Sequence, residues 1–189
     1  MTLTTHTTDN ATVQININAG ESCLKINQNS ASNVQMALLY DERIKDLNNG
    51  TTASRTWHQR ALNTTQDPFE LISDLTDNGF TLKQGHYLIE WRVPAMGVNM
   101  HVSRLRNLSS NEIAGNGSLE NNILAKTVDL VLTNSTGKSF IQSNGTDKFA
   151  IEHFCEEHQA TYGLGTVKNF FDAPYILSCV TITKLADIC

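Results

Sequence analysis

The sequence predicts an all-β fold, an antiparallel sandwich or jelly roll, and three observations carry that reading. Residues 80–105, FTLKQGHYLIEWRVPAMGVNMHVSRL, hold two alternating runs around a Pro-Ala-Met-Gly corner. In the first run Tyr87, Ile89, Trp91 and Val93 share one face and His86, Leu88, Glu90 and Arg92 the other, the period of two of a half-buried strand. From Val34 to Cys189, strand-like runs recur between turn signals roughly every 8 to 15 residues. The chain is rich in Asn and Thr and lacks long Ala-, Glu- and Lys-rich stretches, which disfavours helix.

Taken in order, residues 1–33 read as an N-terminal arm carrying one strand, with the jelly-roll domain spanning 34–189. Within the arm, Val13, Ile15 and Ile17 alternate with polar residues, and such a strand adds to a sheet edge of its own domain or of another protein. Strands are expected near 34–41, 54–62, 86–93, 99–106, 124–132, 147–154, 161–167 and 175–184. Residues 67–75, DPFELISDL, have a capping Asp67, Pro68 in a first turn and apolar helical spacing, so one or two helical turns are expected there. Asn-Gly at 49, 78, 116 and 144 predicts tight turns. Met96 and Met100 flank the corner as expected core fillers.

The closing strand places Tyr175, Leu177 and Cys179 on one face and Ile176, Val180 and Ile182 on the other, so both faces are apolar. Burial in a sheet centre or packing against another subunit satisfies that pattern. The outward face of 86–93 mixes His, Leu, Glu and Arg, which also suits an interface. Leu88, Glu90, Arg92, Arg104, Tyr175, Leu177, Val180 and Ile182 are therefore the expected oligomer contacts. The arginines are expected to pair with Glu90 or Glu152 between subunits, with a local anion patch as the lesser reading.

Composition limits the function classes. The 189 residues are 40% hydrophobic and 17% charged, enough for one domain with a core. A formal net charge of −5 with dispersed arginines argues against nucleic-acid binding. No window approaches the about 18 apolar residues of a membrane span, and the first thirty residues lack a signal-peptide pattern, so synthesis in a host cytoplasm is expected. Cys23, Cys155, Cys179 and Cys189 show no CxxC spacing and are expected as free thiols, with a Cys155–Cys179 bridge as the alternative. Seven Asn-x-Ser/Thr sequons follow from composition.

Residues 153–158, HFCEEH, gather imidazole, thiolate and carboxylate, but no second Cys/His pair follows at zinc-site spacing, so no metal and no cofactor is expected. Gly163-Leu164-Gly165 is too short for a nucleotide motif, and no nucleophile elbow, HExxH or phosphate loop is present, so no catalytic residue is named. Sugar recognition is the ligand chemistry these residues allow, through exposed aromatics beside polar neighbours; the candidates are Trp57, His58 and Tyr162.

The segments WHQRALN at 57–63, GHYLIEW at 85–91, HVSRLRN at 101–107 and EHFCEEHQATYGLG at 152–165, with the closing apolar strand, resemble the jelly-roll head shared by tumour necrosis factor and the globular complement domains, in its viral branch. The resemblance covers residues 34–185. It implies a homotrimer packed by the outward face of one sheet. It further implies a non-enzymatic virion structural protein, a capsid decoration or cement knob held to other virion proteins by its arm. The alternative is a tail-fibre head or lectin-like module recognising host glycan.

Overall fold

The computed structural model describes residues 34–43, 53–122, 131–158, 163–165 and 174–187. Among them every regular element is a strand: β1 (Met36–Arg43), β2 (Trp57–Gln59), β3 (Thr64–Gln66), β4 (Ile72–Thr76), β5 (Gly79–Leu82), β6 (Gly85–Met96), β7 (Met100–Asn107), β8 (Glu112–Asn121), β9 (Leu132–Ser143), β10 (Lys148–Cys155) and β11 (Tyr175–Ala186). Pairing between them is antiparallel throughout.

The strand order β3-β1-β11-β6-β9 forms one sheet and β8-β7-β10-β5-β4 a second, with β2 alongside β10. A single pair, Gly117 opposite Gly137, joins them. The first and last strands lie side by side in one sheet, β4–β5 and β7–β8 are hairpins within the second, and every other connection crosses between the sheets, which is a jelly roll. The fold class is the one the periodicity predicts.

Between the sheets lie Leu39, Tyr87, Ile89, Trp91, Val93, Val180 and Ile182 from the first, and Phe80, Leu82, Leu105, Phe149 and Ile151 from the second. Each such side chain contributes about 1.5–3 kcal/mol through removal from water. The predicted inward face of β6 is fully borne out, since Tyr87, Ile89 and Val93 are 0% exposed.

Residues 67–75 are not helical. Asp67 does cap, its Oδ1 accepting from the Leu71 N–H at 2.9 Å and Oδ2 from Ile72 at 2.7 Å. The chain then leaves as β4, because Glu70 sits at φ 53°, in the left-handed region where a helix cannot continue. β4 returns as β5 through Asp77-Asn78, both at positive φ, the backbone of a type I′ hairpin. The Asn78 and Asn144 turns appear where predicted; Asn49 lies outside the described residues.

Asn116-Gly117 instead lies inside β8. A Cβ on Gly117 would stand 2.4 Å from Ser103 Oγ, so glycine is needed there for close approach rather than for a turn. β8 and most of β9 were not anticipated, since EIAGNGSLEN and LTNSTGKSFIQS read locally as turn material. The strand expected at 124–132 falls mostly outside the described residues, as does that at 161–167, of which 163–165 form a turn. Met100 is 40% exposed rather than buried.

Candidate functional site

Alternation along the strands gives each sheet an outward face. On the first sheet the registers set Met36, Thr183, Leu88 and Phe140 opposite one another across four strands. Beside them run Leu38, Thr181, Glu90 and Lys138, then Tyr40, Cys179, Arg92 and Thr136. Phe140 is 75% exposed and Met36 39%. The Lys138 ammonium lies 3.7 Å from Glu90, and Arg92 donates to Asn134 Oδ1 at 3.3 Å. The face is thus an apolar row bordered by charge, unpaired by any described element.

Of the expected oligomer contacts, Leu88, Glu90 and Arg92 lie on this face. Val180 and Ile182 do not: at 1% and 0% exposure they fill the core, so the apolar character of that side of β11 is satisfied within the chain. Leu177 is also buried, with its Cδ2 against Gly165, and Tyr175 is part-buried at the start of β11. Arg104 belongs to the other sheet.

On the outward face of the second sheet, Trp57, Phe154, Val102 and Leu119 form one cross-strand row. Gln59, Glu152, Arg104 and Asn116 form the next. The Arg104 guanidinium stacks 3.8 Å from the centre of the Trp57 ring and forks onto Glu152 Oε2, with Nε and Nη2 each at 2.7 Å. Arg106 reaches the same oxygen at 3.5 Å and also bonds Asn111 Oδ1. Pairing of Arg104 and Arg106 with Glu152 is therefore made within one chain, correcting the expected intersubunit pair. Phe154 meets Trp57 with ring centres 5.5 Å apart.

His58, next to Trp57 in β2, points the opposite way, into the sandwich, so the two candidates do not share a site. Tyr162 and the arm residues Val13, Ile15 and Ile17 lie outside the described residues. Inside, His58 lies edge-on to His153, with ring centres 5.6 Å apart. His101 Nδ1 and His153 Nε2 are 2.9 Å apart, and His101 Nε2 is 2.7 Å from Thr133 Oγ1. Cys155 Sγ is 3.8 Å from His153 Nδ1.

Above them Arg60, 1% exposed, donates through Nε to Ser178 Oγ and through Nη2 to the Leu164 carbonyl, both at 2.9 Å. Its Nη1 is buried and has no hydrogen-bond partner among the described residues. Burial lowers all three histidines, His101 to about 4 and His153 well below its ordinary value, and Arg60 adds to the effect in each. Burial likewise pushes the Cys155 thiol up to about 12 and lowers Arg60 to about 10.

Neutral imidazoles around a buried guanidinium make a poor cation site. Among the described residues no group of three or more His, Cys, Asp and Glu is arranged to hold a metal. Cys155, buried inside the sandwich, and Cys179, on the outward face of the first sheet, are free thiols. A lone Arg between Gln59 and Ala61 carries no local signal that it will be buried.

No protein-family model matches the chain, and no curated protein matches it. Among solved structures it is similar to the globular domain of zebrafish complement 1qA protein, at 14% identity and TM-score 0.48, covering 80% of this chain and 97% of that one. It is also similar to murine APRIL, at 10% identity and TM-score 0.48, covering 80% and 99%. The jelly roll rests on the chain's own strand order.

Proposed function

We propose that the protein is a non-enzymatic structural knob that assembles as a homotrimer through the outward face of the β3-β1-β11-β6-β9 sheet. The observation that carries this reading is the cross-strand row Met36, Thr183, Leu88 and Phe140, with Phe140 75% exposed on β9. Apolar rows of this kind, rimmed by Glu90, Lys138 and Arg92, have the anatomy of a subunit interface. Stable assembly needs about 1,600 Å² buried per interface, within reach of a five-stranded face.

In the finer role, residues 1–33 anchor the knob to other proteins on a virion surface, as capsid decoration. Support for that role is the sequence resemblance of the segments at 57–63, 85–91, 101–107 and 152–165 to viral jelly-roll heads. In the sequence, the alternation of Val13, Ile15 and Ile17 with polar residues suits edge pairing by such an anchor.

The test is light scattering coupled to size exclusion, on the full chain and on a version starting at Val34. A mass three times the chain's 20.9 kDa in both supports the trimer with the arm free for another partner. Phe140→Asp should then yield monomer of unchanged thermal stability. A monomer of the unmodified chain at micromolar concentration overturns the reading.

A further inference from the structure

We infer that the outward face of the second sheet binds an acidic saccharide, on a platform made by Trp57 and read by Arg106, Gln59 and Asn116. The guanidinium of Arg104 keeps only 11% of its side chain exposed while Trp57 stays part-exposed. The guanidinium thus supports one face of the indole, which stays part-exposed beside Phe154.

An indole laid flat by a stacked, ion-paired arginine loses little freedom on contact with a ligand, which lowers the entropic cost of stacking. Two adjoining rows then match the two kinds of surface a pyranose presents. The Trp57, Phe154, Val102 and Leu119 row accepts the apolar C–H face. The Gln59, Glu152, Arg104 and Asn116 row carries exposed amides at both ends, on Gln59 and Asn116, suited to hydroxyl groups.

Charge selects the acidic member of that class. Two guanidiniums share one carboxylate oxygen, Glu152 Oε2, leaving the cluster of Arg104, Arg106 and Glu152 one positive charge in excess within a chain of formal charge −5. Arg106, held to Glu152 at only 3.5 Å, bonded otherwise to Asn111 Oδ1 and 21% exposed, is the guanidinium that a ligand carboxylate would engage bidentately, displacing these weaker partners. This site lies on the sheet opposite the proposed trimer face, so its occupancy and the trimer can be read separately.

The experiment titrates the full chain with 3′-sialyllactose, with a hyaluronan tetrasaccharide, with lactose as the neutral control and with a hexaglutamate peptide, followed by calorimetry and tryptophan fluorescence. Saturable binding of at least one acidic sugar, about tenfold or more tighter than lactose, is expected. Arg106→Gln should reduce that affinity to the lactose level with thermal stability unchanged. Trp57→Ala should abolish binding, and Trp57→Phe should retain part of it, a graded response that a folding defect would not give. Failure of both acidic sugars, equal binding of lactose, tighter binding of the peptide, or full affinity in Trp57→Ala would each overturn the inference.

Discussion

The indole of Trp91 lies directly beneath Gly137, so close that a Cβ built on the glycine would stand 2.2 Å from Cζ2. Its Nε1 donates to Ser103 Oγ at 2.9 Å, and Ser103 Oγ in turn lies 2.7 Å from Ser135 Oγ. Trp91 belongs to one sheet and Ser103 to the other, so this buried chain ties the sandwich together at the seam where Gly117 meets Gly137. Gly137→Ala should destabilise the fold by about 3 kcal/mol, since overpacking at a fixed ring cannot relax through a flexible neighbour. Denaturant unfolding followed by tryptophan fluorescence measures it, and a loss below about 0.5 kcal/mol would show that the seam is more yielding than its geometry.

Acid should weaken the fold in a defined window. His58, His101 and His153 are all lowered by burial, so the folded state holds them neutral where the unfolded chain, near 6.5, already takes up protons. Stability is therefore fully present above about pH 6.5 and declines as pH falls from there through the folded values, about 4 for His101. Melting temperatures across pH 7.5 to 4 should fall with the steepest loss below about 6.5, and His153→Gln should flatten the profile. A flat wild-type profile would contradict neutral burial.

Replacing Arg60 should separate its charge from its packing. Arg60→Met removes a buried guanidinium to which no carboxylate among the described residues is bonded, so its stability at neutral pH should change by less than the 3–5 kcal/mol typical of a broken buried ion pair. The acid midpoint should move to lower pH, because Arg60 opposes protonation of all three histidines. An acid midpoint that stays in place would mean that the histidines, not the arginine, set the threshold.

Core and interface roles on β11 are distinguishable by variants. Ile182→Ala should cost about 2–5 kcal/mol through lost burial and an unfilled cavity, with the assembly mass of the remaining folded protein unchanged. Thermal unfolding beside light scattering reads both quantities. A variant of unchanged stability but reduced mass would return Ile182 to an interface.

Capping by Asp67 accounts for the chain direction after residue 66. Asp67→Ala leaves the Leu71 and Ile72 N–H groups without their carboxylate and should cost about 1–2 kcal/mol. Hydrogen exchange should accelerate at Leu71 and Ile72 while β6 stays protected. Uniform acceleration everywhere would instead mark a global effect.

Much of the fold was legible because strands such as β6 and β7 carry their burial in their own period. At the outward site Trp57 was legible as an aromatic beside polar residues, but its partner was not. Arg104 lies 47 positions away in the chain, and only the β7–β10 and β10–β2 registers bring the two together. The histidine cluster was half visible, in that His153 and Cys155 stand two residues apart, a spacing that puts both on one face of a strand. That His58 and His101 join His153 depends on two further strands.

By itself, then, the sequence determined the all-β class, the inward face of Tyr87, Ile89, Trp91 and Val93, and the hairpin turn at Asn78, because period and turn chemistry are local. Tertiary structure alone decided that Val180 and Ile182 are core, that residues 72–76 extend rather than coil, and that the glycine-rich β8 and β9 are strands at all. Those outcomes rest on what stands opposite each residue. Gly115, Gly117 and Gly137 are strand residues because Trp91, Ser103, Ser135 and Ser139 leave no room for a side chain there. A constraint set by a partner on another strand leaves no trace in the local pattern.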